Sequence, residues 1–224
     1  MSAHLPLMIW LSPSFPVGAF AYSHGLEWAF EAGDLRDADT LLDWLDALVT
    51  NGSLRNDLIL FTAAYHAVRG ADDAVLREVA ELALALANSA ERRLETVTQG
   101  NAFVAALRAS WPCPAIERLP ELWSGDVPYP VAVAVAAAGH DLPLDDSLRA
   151  YGLGFVANLV SASVRLGIVG QTDGQRITAA LVPALHDAAK AAGRATLEDL
   201  GGCAFRSDIA SLRHETQYSR LFRS

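Results

Sequence analysis

The sequence predicts an all-α fold, and composition and periodicity both carry that prediction. Hydrophobic residues make up 52% of the 224 residues and charged residues 19%, which is enough apolar material for a substantial core. Alanine and leucine dominate, whereas β-branched residues are confined to a few short runs, and this balance favours helix over strand. Because no repeat period or linker divides residues 1–224, we predict a single-domain helical bundle.

The first half of the chain predicts helices that are separated by glycines. After an opening rich in proline and glycine, a short helix is expected over 23–32, with Ser23 as its N-cap. Asp39 is expected to cap a second helix that ends before Gly52. Apolar residues then recur at helical spacing in further stripes, which predict helices over about 58–70, 75–86 and 94–107.

The second half begins with an ambiguous region. Residues 111–130 contain five prolines and are predicted to form a connection. The alternation of residues 130–135 is compatible with a strand, but the alanines that follow and the first-turn position of Pro130 favour a helix.

Two long helices are predicted after that region. Residues 151–167 are apolar on nearly all sides, which is typical of a helix at the centre of a bundle. Arg165 lies within this stretch, so we predict a buried core helix rather than a bilayer span, with Arg165 paired to a carboxylate. Thr172 and Gln175 match a capping box that opens the next helix, which continues to Gly193 despite Pro183.

Charge and cysteine usage limit the class of partner. The formal net charge of −9 repels phosphate backbones and anionic lipids, so neither nucleic acid nor a membrane is an expected partner. Cys113 and Cys203 form no CxxC pair, and we interpret both as buried or inert thiols in a reducing compartment. With no signal-peptide pattern at the N-terminus, the expected location is cytoplasmic.

A search for catalytic motifs yields no enzyme prediction. The histidines show no i, i+4 metal pair, and the P-loop and nucleophile-elbow patterns are absent, so we predict no catalytic residue, no metal ligand and no stably bound cofactor. Ser23, His24 and Glu27 are the nearest approach to a catalytic cluster. Neighbouring positions on a helix point about 100° apart, so we favour the interpretation that Ser23 is a cap and that His24 and Glu27 lie near the positive helix end.

The two ends differ from the rest of the chain. Residues 10–20 crowd aromatics, prolines and glycine into a segment that is either a rigid loop on the core or an exposed partner surface. The C-terminal segment, residues 205–224, is rich in arginine and carries an apolar helical stripe. It either folds back on its own bundle or docks on another chain, and its interface-like composition favours docking.

Three long motifs span the chain from one end to the other. The opening motif is Ser12–Glu27, SPSFPVGAFAYSHGLE; the central motif is NLVSASVRLG at 158–167 followed by GQTDGQR at 170–176. The C-terminal motif is SDIASLRHETQYSRLF at 207–222. In sequence and in order, these motifs resemble those of the UreF family of urease accessory proteins.

The resemblance implies a function in urease maturation. It implies an all-α UreF-like fold, a homodimer, and a complex with UreD (also called UreH) that recruits the GTPase UreG and acts on the urease apoprotein. Nickel would pass through this assembly rather than rest on the chain. Combined with the composition of the two ends, the resemblance predicts these partner-binding residues: Phe15, Pro16, His24, Glu27, Arg213, His214, Glu215, Tyr218, Arg220, Leu221 and Phe222.

Three hypotheses about activity follow. In the first, the chain is a scaffold and chaperone that joins UreD to UreG. In the second, it regulates GTP hydrolysis by UreG, with Arg213 or Arg220 as the arginine. In the third, the chain itself chelates nickel through His24, His214 and Glu215.

Overall fold

The computed structural model describes residues 4–123 and 125–224 of the chain, and these residues form helices and loops without a strand. The all-α prediction is therefore confirmed. Short 3₁₀ turns occupy Ala19–Ala21 and Leu197–Asp199. The helices are α1 (His4–Trp10), α2 (Leu26–Glu31), α3 (Ala38–Thr50), α4 (Ser53–Arg69), α5 (Asp73–Ala85), α6 (Ala90–Ser110), α7 (Pro114–Leu122), α8 (Tyr129–Gly139), α9 (Leu144–Leu166), α10 (Gln171–Ala192) and α11 (Phe205–His214).

Several helix starts differ from the sequence-based predictions. Asp37, not Asp39, caps α3, because its carboxylate accepts from the backbone N–H of Thr40 while Thr40 reaches back in a capping box. The capping box predicted at Thr172 is wrong: α10 begins two residues earlier than that cap implies, and Gly170 is its N-cap without a side-chain hydrogen bond.

The prediction of a plain connection over 111–130 is also wrong. Residues Pro114–Leu122 form α7, with Pro114 in the first turn, where a missing backbone N–H costs nothing. Ile116 and Leu119 of this helix are buried against the core. Proline content indicated a break, but burial of one apolar face outweighed it. Pro183 lies inside α10, and the predicted continuation of that helix is confirmed.

Helix α8 lies at the centre of the fold, between α4 and α6. Every residue from Pro130 to Ala138 is buried, which confirms the helical interpretation of this run and explains why it has no polar face. Gly100 of α6 lets the backbone at the start of α8 approach closely, because a Cβ atom at Gly100 would lie 1.9 Å from the carbonyl oxygen of Val127. Helix α9 packs against α4 and α10. Among the described residues, no helix is long and apolar enough to cross a membrane.

Candidate partner-binding surface

The N-terminal motif forms irregular structure that is pressed against α11. Gly25 precedes α2 with a φ of 77°, and a Cβ atom there would lie 2.6 Å from the backbone nitrogen of Ser211. Gly25 therefore supplies both a left-handed turn and room for α11 to approach. Through this contact the first and last motifs of the sequence become one site.

His214, at the end of α11, is a fully buried histidine between two carboxylates. Its Nδ1 lies 2.6 Å from Oε2 of Glu91, and its Nε2 lies 3.3 Å from Oε2 of Glu27. Both ring nitrogens therefore face a carboxylate oxygen within hydrogen-bonding distance. Arg220 contacts the same Glu91 carboxylate, with Nη1 2.6 Å from Oε1.

Glu27 also fixes the backbone of the C-terminal segment. Its carboxylate accepts hydrogen bonds from the backbone N–H of Leu221 at 2.6 Å and of Phe222 at 2.9 Å. Both the hydroxyl and the backbone N–H of Ser23 donate to the carbonyl of Ser224. Ser23 is therefore not the N-cap of α2, a role that Gly25 takes.

A second buried histidine–glutamate pair lies beside the first. His24 Nε2 is 2.7 Å from Oε1 of Glu95, whose other oxygen is paired with Arg92. Burial and the Arg92 charge lower the pKa of His24 below its ordinary 6.5, although the Glu95 carboxylate acts in the opposite direction. Burial alone would raise the pKa of Glu95, but Arg92 and the hydrogen bonds from His24 and Ser224 outweigh it and bring that pKa down to about 2.

A cavity of about 180 Å³ lies beneath the N-terminal motif, next to these pairs. Asp57 and Tyr151 line it, and the Tyr151 hydroxyl donates to Asp57 at 3.0 Å. Burial raises the pKa of Asp57 to about 6, although Arg92 and the Tyr151 hydrogen bond act in the opposite direction. Phe15, predicted to bind a partner, is half-buried in the wall of this cavity.

Arg165 pairs with no carboxylate of the residues that the structure describes, contrary to the prediction. Its Nη1 donates to the carbonyl of Phe20 at 2.6 Å, and its guanidinium lies 3.6 Å from the ring centroid of Phe20 and 4.4 Å from that of Phe222. Cation–π contacts on both rings replace the expected ion pair. Arg165 thus joins the N-terminal motif to the C-terminal segment.

The outer side of α11 presents apolar side chains to solvent. Phe205, Ile209 and Leu212 share one helix face at exposures of 71%, 38% and 50%. Beyond the helix, Tyr218 is fully exposed and Leu221 is 65% exposed. Apolar residues grouped on one exposed helix face are characteristic of interaction sites. We refer to these five residues as the α11 face.

The structure separates the predicted partner-binding residues into two groups. Four of them are buried in the network and hold the segment in place: His24, Glu27, His214 and Phe222. The others are exposed or half-buried: Phe15, Pro16, Arg213, Glu215, Tyr218, Arg220 and Leu221. The C-terminal segment thus lies back on its own bundle, the arrangement that we ranked second, while its outer side remains accessible.

Sequence reasoning missed Glu91, Arg92 and Glu95, the α6 residues that complete the network. They lie on the helix in the ordinary pattern of a charged, solvated face, and no local signal marks the distant partners of Glu91 and Glu95, which are 71 to 129 positions away. They are largely buried because the N-terminal motif and the C-terminal segment cover this part of α6.

The structure does not bring Ser23, His24 and Glu27 together as a cluster. Ser23, His24 and Glu27 each bond to a different partner rather than to one another. Cys113 is buried, whereas Cys203 is exposed and donates to Asp208 at 3.0 Å. Among the described residues, no group of three or more histidine, cysteine or acidic side chains could hold a metal ion.

Comparison with known proteins gives one consistent family. The sequence profile of the UreF family matches residues 35–182. A urease accessory protein UreF of Methylobacterium radiotolerans is 54% identical over 220 residues, covering 98% of this chain and 96% of the relative. The chain belongs to the UreF family.

Other members extend the comparison. UreF proteins of Rhodopseudomonas palustris and Xanthobacter autotrophicus are 53% and 52% identical, and the alignments cover 97% and 98% of this chain and 92% and 90% of the relatives. These relatives are named accessory proteins rather than enzymes. The resemblance found in the sequence is therefore confirmed, and the chain acts in the maturation of urease.

Proposed function

We propose that the chain is a scaffold and chaperone that joins UreD (UreH) to the GTPase UreG in the complex that delivers nickel to the urease apoprotein. The observation that carries this proposal is the α11 face. It is apolar and exposed, and the buried Glu27–His214–Glu91 network holds it in a fixed position. A rigid apolar surface loses little conformational entropy on binding, which favours its use as a docking site.

The network gives the α11 face its rigidity. Residues 221–224 form no regular structure, and short irregular segments at chain ends normally fray. Here, backbone bonds to Glu27, bonds from Ser23 and Ser224, and the Phe222 ring under Arg165 tie them down. The buried group of predicted residues thus serves docking indirectly, by placing the exposed group.

We propose UreD as the partner on this face, and binding to purified UreD tests that assignment. Replacing Ile209 and Leu212 with alanine should weaken binding by about 30-fold, because truncation of an interface hot spot costs about 2 kcal/mol or more. Isothermal titration calorimetry would measure the dissociation constant. Point substitutions are preferable to deletion from Phe205 onward, since deletion also removes the buried Ala210 and His214.

A matched control separates docking from general loss of apolar surface. Leu153 on α9 and Val182 on α10 are exposed to 44% and 53%, and their replacement by alanine should leave UreD binding unchanged. Equal affinity of the α11 variant and the wild type, with an intact circular dichroism spectrum, would rule out this face as the UreD site.

Regulation of UreG is a second candidate function, and the placement of Arg213 supports it. Arg220 is engaged with Glu91, whereas Arg213 is exposed and makes no ion pair with any described residue. An arginine supplied to a GTPase can accelerate hydrolysis by about 10³–10⁵. If this hypothesis holds, the rate of GTP hydrolysis by UreG in the assembled complex should fall to its basal value in Arg213→Ala. An unchanged rate would refute regulation through Arg213 and leave the scaffold hypothesis as the remaining one.

The remaining parts of the proposal come from the family resemblance. We propose that the chain works as a homodimer in the cytoplasm and that nickel passes through the assembly without a stable site on this chain. Calorimetry of the isolated chain with nickel(II) tests the last point. A dissociation constant below micromolar would favour chelation by the chain itself over the scaffold hypothesis.

A further inference from the structure

A groove of about 420 Å³ runs between α3 and the start of α11. Its floor includes Trp44, which is 93% buried (7% exposed), and Phe205 stands at its edge with 71% of its surface exposed. Ala47, about one turn after Trp44 on α3, also lines the groove, and its small side chain leaves space there. We call this feature the α3 groove. An aromatic floor with an aromatic edge suits an apolar anchor side chain.

Exposed carboxylates lie on the α3 side of the groove. Asp43 lines it, and Asp39 and Asp46 are exposed about one turn away on the same helix; none of the three makes an ion pair with any described residue. Carboxylates four positions apart on a helix repel each other and destabilise it slightly. Among the described residues that line the groove, the one cation is Arg206, which is paired with Asp34 and whose guanidinium lies 5.9 Å from the ring centroid of Trp44.

This charge distribution determines what the groove can accept. An acidic polypeptide, a nucleic acid or an anionic lipid would meet repulsion from three carboxylates. A basic segment would relieve the repulsion along α3 and gain favourable pairs at the rim. The acidic stripe therefore complements a cationic occupant, and the aromatic floor complements an apolar one.

We propose that the α3 groove docks a basic polypeptide segment of a partner protein. One aromatic or aliphatic anchor side chain lies between Trp44 and Phe205, and flanking arginine or lysine residues pair with Asp39, Asp43 and Asp46. This inference goes beyond the proposed function, because the groove adjoins the α11 face, shares only Phe205 with it and does not depend on UreD as the partner.

Two synthetic peptides test the proposal by fluorescence anisotropy. One is a fluorescein-labelled helical peptide with arginines along one face and a central phenylalanine; the other has glutamate in place of each arginine. The basic peptide should bind saturably to the full chain, and the acidic peptide should not. In Asp43→Asn/Asp46→Asn, affinity for the basic peptide should fall about tenfold, at about threefold for each exposed pair lost.

A matched charge control comes from α5. Glu78 and Glu81 are exposed there, α5 contributes no residue to the groove, and Glu78→Gln/Glu81→Gln removes the same charge. Affinity should be unchanged in this variant. An equal loss in both double variants would show attraction to net charge only, and would overturn the proposal.

Filling the groove supplies a second, charge-neutral test. Ala47→Phe should weaken the basic peptide about tenfold or more, because the anchor loses its space, and unaltered binding would refute the proposal. Analytical ultracentrifugation of the free chain tests whether a second copy of this chain occupies the groove instead. Self-association that Ala47→Phe abolishes would assign the groove to a second copy of this chain and would likewise overturn the inference. The Ile209 and Leu212 variants should bind the peptide normally, so this test and the UreD test fail separately.

Discussion

Replacement of Glu95 by glutamine removes the carboxylate at the centre of the buried network. Glu95 accepts from His24 Nε2 at 2.7 Å, Gln99 Nε2 at 2.9 Å and Ser224 Oγ at 2.9 Å, and it pairs with Arg92. A glutamine amide places an NH₂ group among these donors whichever way it is oriented. It also leaves the largely buried Arg92 without a counter-charge.

The expected loss of stability is about 3–5 kcal/mol, the usual result of removing one member of a buried ion pair. The pKa gives a consistent figure. A fall from the ordinary 4.5 to about 2 corresponds to about 3 kcal/mol at ~1.4 kcal/mol for each pKa unit. Urea unfolding at pH 7, followed by circular dichroism, would measure the loss.

The pH dependence of this loss has a defined sign. Because the folded pKa of Glu95 lies below the unfolded value, its contribution is complete above about pH 4.5 and is lost as the pH falls toward about 2. The stability gap between wild type and Glu95→Gln should therefore shrink to roughly half at pH 3. Other carboxylates titrate in both proteins, so they cancel in the gap.

Glu117 provides the control, because it is a half-exposed acid paired with Arg108 at 3.2 Å. Glu117→Gln should cost at most about 1 kcal/mol, as expected of a surface pair. If Glu95→Gln cost no more than Glu117→Gln, or if its gap to wild type were the same at pH 3 and pH 7, the account of the network as a set of buried charges would be refuted.

Two further predictions concern packing and a buried acid. Gly100→Ala should destabilise the fold by about 3 kcal/mol or more, since its Cβ would meet the Val127 carbonyl at 1.9 Å; Gly154→Ala, with its nearest contact at 3.7 Å, should be neutral in the same thermal melts. Asp57, with a folded pKa of about 6, should contribute stability that is complete below about pH 4 and declines as the pH rises through 6. Asp57→Asn keeps the Tyr151 hydrogen bond and should gain about 1–3 kcal/mol at pH 7; a loss of stability at that pH would contradict the raised pKa.

Much of the fold could be predicted from the sequence because helices are local. Apolar residues three and four positions apart indicate a helix whatever it packs against, and α4, α5 and α6 were predicted to within a few residues. The same periodicity predicted the stripe on α11, whose outer face proved exposed. Family membership was also accessible, since long motifs in a fixed order need no tertiary structure to be recognised.

Errors arose where packing overrides local preference. The prolines of residues 111–130 indicated a break, yet α7 forms because burying Ile116 and Leu119 offsets the poor local propensity. Arg165 was assigned a carboxylate partner because opposite charge is the common solution for a buried cation. The rings of Phe20 and Phe222 take that position instead.

The sequence by itself determined the helices, the acidic surface and the family. Only the tertiary structure decided which polar groups meet: Glu27 with His214, and Glu95 with His24 and Ser224. Periodicity describes one element at a time, whereas a contact between residues 71 or more positions apart depends on how elements pack. The same packing buries the network and leaves the outer side of α11 exposed, so the division between buried and exposed residues of the C-terminal segment belongs to the fold.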